Sequence, residues 1–140
     1  TTEIYTLSLH DALPIFDIFA KENTRVISAL KGRVVKVQED HEQFGKQIIV
    51  EVEIDKKKAY LRYAHLSRID VKEGDEPEEG QEIGGTGRTG NAKDLTDTQL
   101  HLHFEIMRSA NPGLGEEGNK NRYNPLDYIS LSPSLKEDQK

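Results

Sequence analysis

One eight-residue stretch, Gln99 to Ile106, constrains this chain more than any other. Its sequence, Gln-Leu-His-Leu-His-Phe-Glu-Ile, alternates polar and apolar residues without a break. Successive side chains of a strand point to opposite faces, so the alternation predicts one apolar face and one face that carries His101, His103 and Glu105. From a rise of about 3.3 Å per residue, the two histidines lie about 7 Å apart along the strand. The stretch therefore predicts a strand that anchors two imidazoles on one polar face.

An isolated His-x-His pair has two readings. In the functional reading, one ring binds a metal while its neighbour transfers a proton or stabilises an oxyanion, because neutral imidazole is a common metal ligand and titrates near physiological pH. In the structural reading, the strand is half-buried and both histidines are solvated. The pair alone leaves both readings open.

Length and composition limit the class of protein. The chain has 140 residues, which is enough for one compact domain with a core, and it carries too little apolar sequence for a transmembrane span. The formal net charge is −6 and no basic patch is interleaved with aromatic residues, which disfavours nucleic acid as a partner. Cysteine is absent, so thiolate zinc sites and cysteine nucleophiles are excluded.

From Phe16 onward the sequence is typical of short strands separated by turns. The alternation is clearest at residues 47–54, where isoleucine and valine alternate with glutamate. Gly32 is predicted to form a tight turn between two β-rich runs, residues 25–30 and 33–37. No helical pattern exceeds three turns, so we predict a mainly β domain.

Another predicted strand, at residues 59–65, contains a third histidine of interest, His65. Strict alternation places Leu61 and Tyr63 on the same side as His65. Residues 71–90 are rich in glycine and acidic side chains, which is typical of tight turns around short strands.

Residues 1–15 are set apart from the rest of the chain. They look like the conceptual translation of a widely used sequencing-library adapter, so we exclude them from fold and site reasoning, and we regard His10 and Asp11 as accidents of that oligonucleotide. The native gene is expected to enter at about Phe16, and any signal peptide or upstream domain that preceded it is expected to be missing from this chain. The predicted organisation is a non-native segment at 1–15, a domain at 16–131 and a disordered charged tail at 132–140.

A set of short motifs between Phe16 and Ile129 resembles the LytM/lysostaphin-type zinc metalloendopeptidases. In the order and spacing of that family, the motifs are Asp17-Ile18-Phe19-Ala20, Gly32-Arg33-Val34-Val35, Tyr63-Ala64-His65-Leu66-Ser67, Gly80-Gln81-Glu82-Ile83-Gly84, Gly87-Arg88-Thr89-Gly90-Asn91, His101-Leu102-His103-Phe104-Glu105-Ile106 and Asn124-Pro125-Leu126. The resemblance implies a compact, mostly antiparallel β fold, the duplicated hybrid motif, with a groove across one sheet. It also implies a zinc ion, hydrolysis of peptide cross-links or stem peptides of bacterial peptidoglycan, and a location in the cell envelope, periplasmic or extracellular.

Carried over residue by residue, the resemblance assigns four functional positions. Asp17 and His103 are the implied metal ligands, and His65 and His101 are the implied catalytic residues. A catalytic zinc lowers the pKa of its bound water to about 7, and a nearby imidazole then takes the proton or holds the developing oxyanion. Which histidine does which is left open. Without the family, Asp17 reads as a turn residue and His65 as a satisfied or solvated histidine, while His41 matches no motif and is assigned to the surface.

The chain departs from the family pattern at one implied ligand. The family's first ligand is a histidine four residues before the aspartate, and Leu13 occupies that position. His10, three residues further upstream, is expected to substitute only by accident. Loss of a group that supports a ligand already costs about 10–100-fold in metal affinity or activity, so we predict weak zinc binding and poor hydrolysis by this polypeptide.

Two alternatives to an enzyme stay open. One is a noncatalytic LytM-like regulator that binds and activates other cell-wall hydrolases or divisome proteins. The other is a carbohydrate- or peptide-binding β domain whose groove has lost its chemistry. Retention of Asp17, His65, His101 and His103 together argues against the regulator, because a domain released from catalysis has no physical reason to keep all four.

Overall fold

A computed structural model describes residues 5–6, 15–96, 99–110 and 122–123, and for 5–6, 15–17 and 122–123 it describes the backbone alone. Within these residues the strands are β1 (Tyr5–Thr6), β2 (Ile15–Phe19), β3 (Arg25–Ile27), β4 (Gly32–His41), β5 (Gly45–Ile54), β6 (Lys57–Ile69), β7 (Glu82–Thr86), β8 (His101–Met107) and β9 (Arg122–Tyr123). The only helical element among them is a 3-10 turn at Gly90–Ala92. The predicted mainly β class is confirmed.

The strands form one antiparallel sheet with the two-histidine strand near its middle. The order is β1-β2-β8-β6-β5-β4, while β7 pairs with both β6 and β3, and β9 pairs with β8. β1 belongs to the adapter-like segment, and it pairs with β2 with Tyr5 opposite Phe19. β8 therefore lies between β2 and β6, which pair with it on either side.

The hydrophobic core covers the opposite side of β8 and the facing sides of its neighbours. Phe104 and Ile106 are buried there, and the ring centroids of Tyr63 and Phe104 lie 5.2 Å apart. The alternation predicted for residues 47–54 holds from Val50 to Ile54, where Glu51 is half-buried and Glu53 is exposed, but Gln47 and Ile49 are buried, so both faces of β5 are covered at its start. Each fully buried aliphatic or aromatic side chain contributes about 1.5–3 kcal/mol, so this face anchors the strand that carries the histidines.

The turn predicted at Gly32 is wrong. Gly32 is the first residue of β4, the chain bends before it at residues 29–31, and β4 pairs with β5 whereas β3 pairs with β7. The glycine serves a different need here, because a Cβ at this position would lie 2.3 Å from the carbonyl oxygen of Glu51. A close approach of two backbones therefore explains the absence of a side chain.

Several predictions concern residues outside the described part of the chain. Leu13 and His10 lie there, as do the motif at 124–126 and the charged tail at 132–140. In the part that the structure describes, no helix is long and apolar enough to cross a membrane.

Candidate metal and catalytic site

Three histidine rings come together where β6 and β8 run side by side. The ring centroid of His65 lies 5.4 Å from that of His101 and 5.6 Å from that of His103, and both contacts are edge-on. β8 supplies two of the rings as alternate residues, and β6 supplies the third next to Ala64, the residue directly opposite His103. The structure thus brings together the three histidines that the sequence singled out.

The predicted orientation of His65 is wrong. Strict alternation places this residue on the core face with Leu61 and Tyr63, but its ring contacts the histidines of β8 on the other face. A β-bulge interrupts the pairing of β6 with β5 at this point, and His65 has a left-handed φ of 59°. A bulge adds one unpaired residue and so reverses the alternation. The left-handed φ costs about 1–3 kcal/mol in a residue with a side chain, and it persists where the surrounding structure enforces it.

Hydrogen bonds from neighbouring elements hold His65 in this conformation. Its backbone N–H donates to the carbonyl oxygen of Phe44 at 2.8 Å, and its Nδ1 lies 2.8 Å from the carbonyl oxygen of Thr89. The Thr89 hydroxyl is itself fixed, because it accepts from the Lys46 N–H at 2.9 Å and donates to the Leu66 carbonyl at 2.7 Å. A carbonyl can only accept, so Nδ1 of His65 carries the proton and proton transfer falls to Nε2.

His101 is held in a similar way but more loosely. Its Nδ1 lies 3.1 Å from the carbonyl oxygen of Gln99, and the residue is half-buried whereas His65 is buried. The same reasoning gives Nδ1 the proton and makes Nε2 the nitrogen for exchange with a substrate.

His103 is held by a buried carboxylate instead of a carbonyl. Its Nε2 lies 2.5 Å from Oε1 of Glu105, which is 1 % exposed. Nη1 of Arg62 lies 3.8 Å from the same oxygen, and the Phe44 ring contacts both the Arg62 guanidinium and the His103 ring. Since Nε2 donates to the carboxylate, Nδ1 of His103 is the nitrogen suited to a metal.

The backbone register relates Asp17 to this site. β2 pairs with β8 so that Asp17 lies directly opposite His103, and Cα atoms in such pairs are about 4.5–5.5 Å apart. The structure describes the backbone of Asp17 and not its side chain.

The donor types at this position suit zinc. Imidazole nitrogen and carboxylate oxygen are both common zinc ligands, and Nδ1 of His103 is oriented away from its hydrogen-bond partner. Among the described side chains, however, no group of three or more histidine, cysteine or acidic residues is arranged to hold a metal ion. That set contains neither the Asp17 side chain nor Leu13.

A pocket of about 530 Å³ lies where the turn between β4 and β5 meets residues 90–93. It is lined by His41, Glu42, Gln43, Gly90, Asn91 and Lys93. His41, assigned to the surface from the sequence, is half-buried, and its Nδ1 accepts from the Gln43 and Phe44 N–H groups at 3.1 and 3.0 Å. Its ring centroid lies 5.0 Å from that of Phe44, which in turn contacts His103. The Phe44 ring therefore contacts both His41, which lines the pocket, and His103 of the cluster.

Sequence reasoning missed the groups that support the histidines. Strand alternation places Glu105 on the correct face but assigns it no role, and Thr89 stands out only as part of a motif. No sequence pattern points to Arg62 or Phe44. The signal that finds Glu105 is its spacing of two residues from His103, which puts both on one face of a strand.

Residues 15–125 match the family model described as Peptidase family M23. The chain belongs to this peptidase family. The resemblance drawn from the motifs is thereby confirmed, and the histidine cluster lies within the matched residues of the M23 domain.

Known relatives agree with this membership. The chain is 34 % identical over 80 residues to the peptidoglycan DD-endopeptidase ShyA of Vibrio cholerae, a match that covers 56 % of this chain and 16 % of ShyA. The catalytic domain of the antimicrobial peptidase lysostaphin from Staphylococcus simulans is 29 % identical, with a TM-score of 0.65 over 89 % of this chain and 84 % of that one. A zinc-containing peptidase from Vibrio cholerae is 32 % identical, with a TM-score of 0.53 over 65 % of this chain and 25 % of that one. The M23 domain thus spans about a sixth of its curated relative.

Proposed function

We propose that this M23 domain is a zinc-dependent endopeptidase that hydrolyses peptide cross-links or stem peptides of bacterial peptidoglycan. The observation that carries the proposal is the convergence of three histidines. The ring centroids of His101 and His103 both lie within 5.6 Å of the ring centroid of His65. Relatives named as a peptidoglycan endopeptidase and as a zinc-containing peptidase support the substrate and the metal.

His103 and Asp17 are the proposed metal ligands. They lie on adjacent strands at directly opposed register positions, so one ion can be shared between two rigid elements. A bound zinc ion would supply positive charge that polarises the scissile carbonyl and lowers the pKa of a coordinated water to about 7.

His65 and His101 are the proposed catalytic residues. Each holds its Nδ1 proton against a backbone carbonyl, so each presents Nε2 for proton transfer or for a hydrogen bond to developing negative charge. Proton transfer by a positioned side chain is worth about 10²–10⁴-fold in rate, and one oxyanion donor about 10²–10³-fold. The edge-on contact of the His65 ring with its two neighbours keeps these groups within reach of one reacting centre.

The proposed activity is impaired in this polypeptide. Leu13 occupies the position of the family's first histidine ligand, and a leucine side chain has no donor atom. The domain is expected to act in the cell envelope, periplasmic or extracellular, because peptidoglycan lies there.

A noncatalytic role is the second candidate for the polypeptide as it stands, because Leu13 leaves it without the family's first ligand. A domain without its first ligand can still bind peptidoglycan, other cell-wall hydrolases or divisome proteins without cleaving anything. The native codon for position 13 discriminates the two functions, because a histidine there favours the enzyme and any other residue favours the regulator.

The direct experiment restores the ligand with Leu13→His. Zinc stoichiometry, measured after dialysis by elemental analysis, and lysis of purified cell walls are both expected to rise. Leu13→Gln is the matched control, because it adds a polar group of similar size that zinc does not commonly bind. If Leu13→His changes neither zinc content nor wall lysis, the proposed site is wrong.

A further inference from the structure

A buried carboxylate lies directly behind the proposed metal ligand. Glu105 follows His103 by two residues on β8, so both side chains are on one face of the strand. Oε1 of Glu105 lies 2.5 Å from Nε2 of His103, and the glutamate is 1 % exposed. The hydrogen bond therefore forms away from bulk water, where it is stronger than an exposed one.

The charge of this carboxylate is balanced by an arginine on the neighbouring strand. Arg62 lies directly opposite Glu105 in the pairing of β6 with β8, and its Nη1 is 3.8 Å from Oε1. The Arg62 side chain is 8 % exposed, and its guanidinium carbon lies 4.0 Å from the centre of the Phe44 ring. Removing two charges from water is expensive, so this arrangement needs a reason other than stability.

The geometry leaves the His103 ring little freedom. Glu105 accepts from Nε2 on one side, and the Phe44 ring contacts the imidazole with a centroid distance of 5.4 Å. A carboxylate acceptor requires the proton to be on Nε2, so the lone pair is on Nδ1. Carboxylates that orient histidine ligands in this way raise both the order and the basicity of the ligand.

We propose that Glu105 is a positioning residue that fixes the orientation and tautomer of His103 for metal binding, with Arg62 as its charge partner. This inference rests on the proposed function, because it assigns His103 to the metal. It adds a requirement that the two ligands alone do not contain, namely a buried acceptor for Nε2.

The test compares two double variants that both remove the buried charges, in a parent that carries Leu13→His. Arg62→Met with Glu105→Gln keeps an acceptor oxygen for Nε2, whereas Arg62→Met with Glu105→Leu keeps only the packing. Glu53→Gln, at an exposed position of β5, is the matched control for loss of one carboxylate. Zinc affinity is measured by chelator competition in the Leu13→His background. The Nε2–H proton of His103 is followed by NMR in metal-free chains that carry the same variants but keep Leu13.

The glutamine variant is expected to retain a downfield Nε2–H resonance and part of the zinc affinity. The leucine variant is expected to lose the resonance and to bind zinc about 10–100-fold more weakly than the parent, while both double variants unfold at similar denaturant concentrations. Zinc affinity of all variants within about twofold of the parent would overturn the inference, and so would absence of the Nε2–H resonance from the unsubstituted chain. If the parent binds no zinc while the resonance is present, the proposed function fails and the hydrogen bond to Glu105 is upheld.

Discussion

Two arginine-centred ion pair systems in this domain use the same chemistry at different depths. Arg68, near the C-terminal end of β6, forms ion pairs with Asp70 at 2.9 Å and with Glu82 at 3.2 Å, and all three side chains are more than a third exposed. Arg62, six residues earlier on the same strand, meets Glu105 with both side chains nearly buried. Exposed pairs are worth about 0–1 kcal/mol, whereas a buried pair loses hydration that its attraction barely restores. The exposed system is therefore expected to be dispensable, and the buried pair to serve the orientation of His103.

The largest expected effect comes from breaking the buried pair on one side. Arg62→Met leaves Glu105 buried without its guanidinium, so unfolding in urea should show a loss of about 3–5 kcal/mol. The double variant Arg62→Met with Glu105→Leu should lose markedly less, because no charge is then left buried. Equal losses from the single and double variants would contradict the idea that the two groups compensate each other.

A neutral buried group sharpens the same comparison. The Tyr63 hydroxyl accepts from the Ala29 N–H at 2.9 Å, and burial raises the pKa of Tyr63 to about 12. The unfolded chain releases this proton near pH 10 and the folded chain near pH 12, so the contribution is fully present below pH 10 and is lost as pH rises toward 12. The loss across this window is roughly 2–3 kcal/mol.

The Tyr63→Phe variant isolates that contribution from other groups that titrate at high pH. Near pH 7 the variant should be about 1 kcal/mol less stable than the parent, because one hydrogen bond is missing. From pH 10 to 12 the parent should lose stability faster than the variant. Parallel stability curves across this range would contradict the raised pKa of Tyr63.

The smallest effect is expected in the exposed system. Arg25 shares Glu82 with Arg68 and so belongs to this system. Nε of Arg25 lies 2.5 Å from Oε1 of Glu82, yet the Arg25 side chain is 67 % exposed. Arg25→Gln should change the free energy of unfolding by at most about 1 kcal/mol, and added salt should reduce the difference further. A loss comparable to that of Arg62→Met would remove the distinction between the two systems.

The part of this site that the sequence predicts is the part that depends on strand periodicity. His101 and His103 follow strict alternation on β8, and the opposite face of that strand packs into the core as expected. The pairing of Asp17 with His103 follows only once the family is recognised, because no local pattern states which strands are neighbours.

The remaining features depend on contacts between distant segments. The bulge that turns His65 to the site follows no periodic rule, and the carbonyl of Thr89 that holds its ring lies on a separate loop. Arg62 reaches Glu105 only because β6 and β8 pair in one particular register. Alternation alone therefore predicts the wrong face for His65 and no partner for Glu105.

The most direct test of the metal-centred site is the release of new amino groups from purified peptidoglycan by Leu13→His in the presence of zinc. Release by Leu13→His is expected to be well above that of the unsubstituted chain, and to be lost when His103→Ala is added or when zinc is chelated. Release by Leu13→His that equals the unsubstituted chain, or that persists in the His103→Ala background, would contradict the metal-centred site.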